Sequence, residues 1–351
     1  MATHEHEITG PVDLCLPDGR LDRAAVGWSR VPLHRANLRG WGRTKRWEYW
    51  CVTTPTHLVA LTVSDLDFLA LNTVYLLEFG AGGRETERTS IVPGARGVRL
   101  PDTVAGSPGT EDVVVGPARP SGGKVRIEIR DEASGTRLRA RCLTPDRLPL
   151  EVDLLVARPE GHESLSVVVP WSDRRFQYTS KHTALPATGQ VRIGTEVLGF
   201  GGDDEPAWAV LDHGRGRWPR TVDWNWGAAS GRTDGHTLGL QFGGRWTAGT
   251  GSTENGLCVD GRLTKIGEEL DWHWSATDRS APWTIRTPVS DQVDLTFTPF
   301  HNRATRTDAG LIANRTDQSF GHYDGRVRTD DGTEIAVRHL LGWAEDVHMR
   351  W

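Results

Sequence analysis

Residues 125–130 read Val-Arg-Ile-Glu-Ile-Arg, so apolar and charged side chains alternate at every position. A period of two turns one set of side chains toward a core and the other toward water, as in antiparallel sheets. The same alternation recurs in both halves of the chain, at residues 137–143, 150–154, 191–193, 237–242, 292–297 and 334–338. The pattern predicts an all-β protein.

Turn signals support this prediction. Asp260-Gly261 and Asp331-Gly332 each separate two short apolar runs, and Asp-Gly is a strong β-hairpin signal. Forty glycines and nineteen prolines interrupt the chain often and leave little room for long helices. Many short strands with frequent turns are typical of β-sandwiches and closed barrels.

The length of the chain predicts more than one domain. At 351 residues it is longer than a single hydrophobic core usually grows. The alternation is interrupted at residues 171–186 (WSDRRFQYTSKHTALP). We therefore expect two domains, residues 1–175 and residues 176–351, with most of the site in the second.

Composition and charge exclude several classes of protein. With 37% hydrophobic and 25% charged residues the chain has a soluble globular composition, and its net charge of −5 gives no general attraction to nucleic acid. Four widely spaced cysteines form neither a zinc motif nor a disulfide framework. We find no signal peptide and no apolar run long enough to span a membrane. We expect a cytoplasmic protein with no cofactor, metal, nucleic-acid partner or membrane span.

The stretch 208–226, WAVLDHGRGRWPRTVDWNW, is the strongest candidate for a site. Arginine and aspartate are rarely buried without a partner, and each tryptophan N–H needs an acceptor, so such a stretch typically lines a cavity. Asp212 could orient His213 as a proton shuttle or pair with Arg215. The alternative is a structural polar corner, with the arginines stacked on tryptophans and paired to aspartates.

Three further clusters supply candidates. Glu254 would be a second carboxylate opposite Asp212 if it points inward, although a turn before a hydrophobic strand is the favoured interpretation of this stretch. The C-terminal stretch 342–351 predicts a docked last strand, and residues 46–50 with 177–182 predict barrel mouths or the seam between the domains. The candidate catalytic residues are Asp212, His213, Glu254, Glu345 and His348; the candidate ligand-binding residues are Arg215, Trp218, Trp224, Asn225, Trp226, Trp246, Asn255, Tyr178 and Lys181.

Five stretches, at residues 28–55, 175–189, 211–226, 253–266 and 342–351, resemble the domain of unknown function 2804 family. That family is similar, more distantly, to a tandem lipocalin-like (calycin) group. The group includes hydroxyneurosporene synthase-type hydratases, Diels–Alder-type cyclases and a lipid-handling survival factor. The resemblance implies two lipocalin-like antiparallel β-barrels in series, and half of this chain suits one small barrel that holds one ligand. It supplies no catalytic residue.

The leading functional hypothesis is a Trp/Arg-lined barrel cavity that binds an apolar or amphipathic small molecule. As an enzyme it would carry out acid-assisted hydration, isomerisation or cyclisation, with one carboxyl kept protonated by an apolar wall. The alternatives are a carbohydrate-active enzyme of glycoside hydrolase type, with Asp212, Glu254 and Glu345 as its paired carboxylates, and a non-catalytic lipid carrier.

Overall fold

The computed structural model describes residues 4–202, 205–308, 310 and 312–351. In this part of the chain a 3-10 helix, Arg23–Ala25, accompanies twenty-four strands. The strands up to residue 217 are β1 Val12–Asp13, β2 Trp28–Ser29, β3 His34–Arg35, β4 Thr44–Thr53, β5 His57–Asp65, β6 Leu69–Glu78, β7 Glu85–Pro93, β8 Val113–Val115, β9 Arg126–Glu132, β10 Gly135–Leu143, β11 Pro149–Ala157, β12 Leu165–Ser172, β13 Arg175–Ile193, β14 Glu196–Phe200 and β15 Ala207–Arg217. Those after it are β16 Thr221–Thr233, β17 His236–Gly244, β18 Asn255–Val259, β19 Arg262–Ile266, β20 Asp271–His273, β21 Trp283–Arg286, β22 Val293–Asp308, β23 Ala313–Arg328 and β24 Glu334–Arg350.

The strands form two large antiparallel sheets, each curled as half of a lipocalin-like barrel. The first sheet has the main order β7-β6-β5-β4-β15-β13-β11-β10-β9-β8, with β12, β14 and β2 attached to its side. The second sheet has the order β19-β18-β17-β16-β24-β23-β22-β21-β20. β1 and β3 form a separate parallel pair.

The strand β15 connects the two sheets through its alternating faces. Ala209 and Leu211 pack into the core of the first sheet, which also contains Leu138 and Val152. Val210, on the other face, packs into a cluster shared by both sheets. We call it the junction cluster; its buried members are Tyr49, Cys51, Leu58, Ala60, Tyr75, Leu77 and Val210 from the first sheet, and Trp226, Ala228, Phe320 and Trp343 from the second.

The predicted all-β fold and both hairpins are confirmed. At Asp260-Gly261 the flanking residues pair as Val259 with Arg262, and both turn residues have positive φ, 50° and 83°. At Asp331-Gly332, β23 and β24 pair up to Arg328 and Glu334. Asp-Gly fits such turns because both residues tolerate positive φ.

The interrupted alternation at residues 171–186 falls on two strands of the first sheet. These residues form the end of β12 and most of the nineteen-residue strand β13. β13 pairs with β12 and β15 in its first part and with β11 in its second part, so it lies within the first sheet. The chain passes from the first sheet to the second between Arg217 and Thr221, and the division into domains at residue 175 stays a prediction.

A search of the described residues finds no helix long and apolar enough to cross a membrane.

Candidate functional site

A cavity of about 260 Å³ lies where the two sheets meet, and we call it the junction cavity. The first sheet contributes side chains from β4, β5, β6, β13 and β15, and the second contributes β16 and β24. Its lining residues are Trp47, Tyr49, Thr62, Ser64, Leu66, Leu71, Gln177, Thr179, Lys181, Asp212, Trp218, Trp224, Trp226, Trp246, Glu254, Glu345, Met349 and Trp351.

One wall of the cavity is a buried charge cluster centred on Lys181. Its Nζ lies 2.9 Å from Asp212 Oδ1 and 3.1 Å from Glu254 Oε1. The same Nζ lies 4.4 Å from the centroid of the Trp226 ring, a cation–π distance. The predicted pair of carboxylates, Asp212 and Glu254, is therefore present, and an ammonium ion joins the two.

The pKa values in this cluster reflect competition between burial and pairing. Burial lowers the pKa of Lys181, but Asp212 and Glu254 outweigh it and raise the pKa overall. Burial raises the pKa of Glu254, and Lys181 only partly opposes this. The ammonium is consequently held in its charged form although its side chain is only 4% exposed.

Glu345, on β24, is a carboxyl group of a different kind, with neutral hydrogen-bond donors as its contacts. Its Oε2 accepts a hydrogen bond from Trp224 Nε1 at 3.3 Å, and its Oε1 accepts one from Gln318 Nε2 at 2.8 Å. Burial raises its pKa to about 7, and the Trp224 hydrogen bond and the more distant Lys181 charge oppose this only in part. At neutral pH Glu345 is therefore present in both its acid and its carboxylate form.

Aromatic rings form most of the remaining wall. Trp218 is at the centre: its ring stacks on Trp246 with centroids 5.8 Å apart and meets the edges of Trp47 and Trp351, both at 5.6 Å. The indole of Trp218 donates to Gln177 Oε1 at 2.6 Å, and that of Trp246 donates to Glu254 Oε2 at 3.2 Å. These hydrogen bonds fix the ring orientations.

His213 and Arg215 lie outside the junction cavity. Because side chains alternate along β15, both point to the face opposite Asp212, into the first barrel. There Glu48 Oε1 contacts His213 Nδ1 and Arg215 Nη2, both at 2.7 Å. Among the described residues His213 and Arg215 therefore pair with Glu48 and not with Asp212, and this buried trio is a polar corner that lacks the expected tryptophan stacking and aspartate partners.

Four further candidates also lie away from the cavity lining. Tyr178 faces the first barrel, beside His213. Asn225 and Asn255 donate to backbone carbonyls, of Glu345 and Glu268 respectively. His348 pairs with Asp223 at 2.7 Å and is 42% exposed.

The candidates that the structure brings together are Asp212, Glu254, Glu345, Lys181, Trp218, Trp224, Trp226 and Trp246. Trp47 and Tyr49 were expected at a barrel mouth or the seam, and they line the cavity from β4. Gln318 was missed, because nothing in the sequence of β23 marks one glutamine as the partner of Glu345. Trp351 belonged to a predicted docked strand but was not a site candidate; it directly follows β24, which ends at Arg350.

No group of three or more His, Cys, Asp or Glu residues that could hold a metal ion occurs in the described residues.

The fold and the cavity define a tandem lipocalin-like β-barrel protein with a chamber between its two halves. The chain belongs to the family described as domain of unknown function (DUF2804), whose model matches residues 5–351. A comparison with curated proteins found no match.

Solved structures with a similar fold include a protein from Nitrosomonas europaea named as an AttH, with a TM-score of 0.51, 15% identity, and 87% of this chain and 92% of that chain covered. Kievitone hydratase from Nectria haematococca has a TM-score of 0.42 and 11% identity, covering 88% of this chain and 89% of its own. CghA, solved with Sch210972, has a TM-score of 0.42 and 9% identity, covering 88% of each chain. Sequence identities this low support a similarity of fold and no statement about function.

Proposed function

We propose that the junction cavity binds an apolar or amphipathic small molecule and that Glu345 transfers a proton to it. The observation that carries this proposal is the setting of Glu345: a carboxyl 8% exposed, with a pKa of about 7, in a cavity walled by indole rings. General acids work best when their pKa is near the operating pH. Apolar surroundings are the usual way in which proteins raise a carboxyl pKa to that range.

The chemistry that suits this group is acid-assisted addition to, or rearrangement of, a double bond. The O–H bond of the Glu345 carboxyl breaks, and its proton forms a C–H bond with the π electrons of the substrate. The adjacent carbon becomes positive, and Glu345 becomes a carboxylate. Water then adds to that carbon in a hydration, or a neighbouring C–H bond gives up its proton in an isomerisation; either step returns a proton to Glu345.

The roles of the two other carboxyl groups follow from their partners. Asp212 accepts from both Lys181 and Thr179 on its Oδ1, and Glu254 accepts from Lys181 and Trp246. We assign them to holding Lys181 and the cavity wall rather than to proton transfer. The acid that we propose is therefore Glu345, one of the five candidate catalytic residues from the sequence.

A two-stage experiment tests this function. Thermal shift against lipids, polyenes and oligosaccharides identifies a ligand class, and turnover of the best ligand is then compared in wild type and Glu345→Gln. We expect the variant to lose at least about a hundredfold in kcat, the usual contribution of a general acid. Glu334→Gln, on the same strand but in an exposed ion pair, is the matched control and keeps full turnover.

Three outcomes would contradict the proposal. Full turnover in Glu345→Gln would show that Glu345 is not the acid. Binding without any turnover favours the non-catalytic carrier. Selective stabilisation by oligosaccharides, with glycoside cleavage lost in Glu254→Gln, favours the carbohydrate alternative.

A further inference from the structure

The junction cavity has more negative than positive charge in its lining. Among the described lining residues the charged groups are the ammonium of Lys181 and the carboxyl groups of Asp212, Glu254 and Glu345. Lys181 compensates one of the two carboxylates that it contacts. The lining therefore has an excess of negative charge when two or more of its three carboxyl groups are ionised.

Of the cations near the cavity, Lys45 and Arg303 each already have an acidic neighbour, and Arg43 donates to the carbonyl of Trp351 at 3.0 Å. Lys45 donates to the carbonyl of Leu66 at 3.1 Å and lies 5.2 Å from the centroid of the Trp351 ring, and its charge is opposed by nearby Asp67. The charge of Arg303 also acts on Glu345, but its guanidinium pairs with Glu87 at 2.9 Å.

The aromatic wall adds a second attraction for positive charge. Seven aromatic side chains line the cavity: Trp47, Tyr49, Trp218, Trp224, Trp226, Trp246 and Trp351. The faces of such rings attract cations, and most strongly where water is excluded. The Trp226 ring already has this role toward Lys181, whose ammonium stays charged in a buried position.

We infer that the junction cavity stabilises positive charge on an apolar ligand, so that the substrate of Glu345 is an electron-rich alkene that becomes cationic when it is protonated. This inference rests on the proposed function and names its substrate class. Glu345 is a weak acid, so it can protonate only a double bond whose cation is well stabilised, such as an enol ether, an enamine or a conjugated polyene. Rings and carboxylates placed around the developing charge would lower the energy of that cation relative to the neutral substrate.

A pair of isosteric probes tests the inference without knowledge of the natural substrate. Choline and 3,3-dimethyl-1-butanol have the same shape and differ in the replacement of the quaternary nitrogen by carbon. Tryptophan fluorescence titration of the full chain gives both dissociation constants. We expect choline to bind about tenfold more tightly, because only the cation gains from the rings and the carboxylates.

A charge variant separates this effect from shape. In Asp212→Asn the contacts from Lys181 and Thr179, which both end on Oδ1, can be kept by the amide oxygen while one negative charge is lost. We expect choline binding to weaken about fivefold and the binding of 3,3-dimethyl-1-butanol to stay unchanged. The exposed control Asp153→Asn should change neither constant.

The outcomes distinguish the inference from the proposed function. Equal affinities for the two probes, or a preference for the alcohol, overturn the inference but leave an apolar cavity with an acid. Failure of both probes to bind at millimolar concentration overturns the inference and also contradicts a small-molecule cavity. Tighter binding of choline combined with full turnover in Glu345→Gln would support the cation site and show only that Glu345 is not the acid.

Discussion

Two buried glutamates of this protein have pKa values that are shifted in opposite directions, and their neighbours explain why. Burial alone would raise the pKa of Glu48, but His213 and Arg215, both in contact with its Oε1, lower the pKa overall. Within the described part of the chain, the side-chain donors to Glu345 are an indole and an amide, so burial prevails and its pKa rises to about 7. Glu48 is therefore a structural anion, whereas Glu345 is a proton donor near neutral pH.

The raised pKa of Glu345 makes the stability of the fold depend on pH. Between the unperturbed value of 4.5 and about 7 the folded protein keeps a proton that the unfolded chain has lost. The stabilisation is complete below 4.5 and is lost as the pH rises through 7, an effect of roughly 3 kcal/mol at most. Glu345→Gln has no such group and does not lose this stabilisation as the pH rises. The free energy of unfolding of the variant minus that of wild type should therefore be larger at pH 8 than at pH 5. Urea unfolding at both pH values measures this difference.

The exposed variant Glu151→Gln is the control for that measurement, because its side chain lies in solvent beside Arg141. Its stability relative to wild type should change little over the same pH range. A constant difference between wild type and Glu345→Gln at pH 5 and pH 8 would show that Glu345 titrates near its ordinary pKa.

Lys181 stabilises the site by placing one positive charge between two buried carboxyl groups. Lys181→Met keeps the length of the side chain but leaves Asp212 and Glu254 without their counter-ion, at an expected cost of about 3–5 kcal/mol in the free energy of unfolding. Adding Glu254→Gln should recover part of that loss, since one of the unpaired charges is then gone. Denaturant unfolding of both variants measures the two effects.

The control for this prediction is Arg338→Met, which breaks the exposed ion pair with Asp234. It should change stability by less than about 0.5 kcal/mol, as surface ion pairs contribute little. If Lys181→Met proved as stable as this control, the carboxylates would have to be protonated or solvated in the folded protein.

At the scale of elements, the pairing of β15 with β4 positions the aromatic wall. Gly214 is directly opposite Trp47 in this ladder, and a Cβ at Gly214 would lie 2.0 Å from Trp47 Cε2. The indole can cover β15 only because this position has no side chain. The glycine therefore has a packing role, and no unusual backbone angle is needed to explain it.

We predict that Gly214→Ala displaces the Trp47 ring from the cavity wall. The free energy of unfolding should fall by about 1–3 kcal/mol, the usual cost of overpacking, and binding of the cavity ligand should weaken. Denaturant unfolding and ligand titration measure the two effects. Gly199→Ala is the control, since nothing lies within 4 Å of its added Cβ; equal behaviour of the two variants would mean that Trp47 is not held by β15.

Much of the element structure could be predicted from the sequence. Alternation located strands such as β9, β10 and β17, and Asp-Gly located two hairpins, because both signals act over a few neighbouring residues. The same period-two rule places Asp212 and His213 on opposite faces of β15, so their proposed partnership was already excluded by local geometry. The contact of Lys181 with Glu254 depends on two sheets, and no local pattern encodes it.

At the scale of the whole molecule, the site exists only because the two sheets pack on each other. Tyr49 from β4 meets Trp226 at 5.6 Å and Trp343 at 6.2 Å, and Gln318 donates to both the Tyr49 hydroxyl and Glu345. The site residues predicted from the sequence lie mainly in the second half of the chain, where most of the tryptophans are. It could not show that β4 completes the cavity, since that depends on how the barrels dock.

The shared junction cluster predicts that both barrels unfold together. Leu138 lies in the core of the first sheet and Leu238 in the core of the second, and both are almost fully buried. Truncating either to alanine should cost about 2–5 kcal/mol. Separating the barrels would expose Tyr49, Trp226 and Trp343 to water, so we expect a single unfolding transition. Each variant should lower the midpoint of that transition. Tryptophan fluorescence and far-ultraviolet circular dichroism should give the same midpoint. Two transitions, with Leu138→Ala moving only one of them, would show that the barrels are independent and that the cavity between them can open without global unfolding.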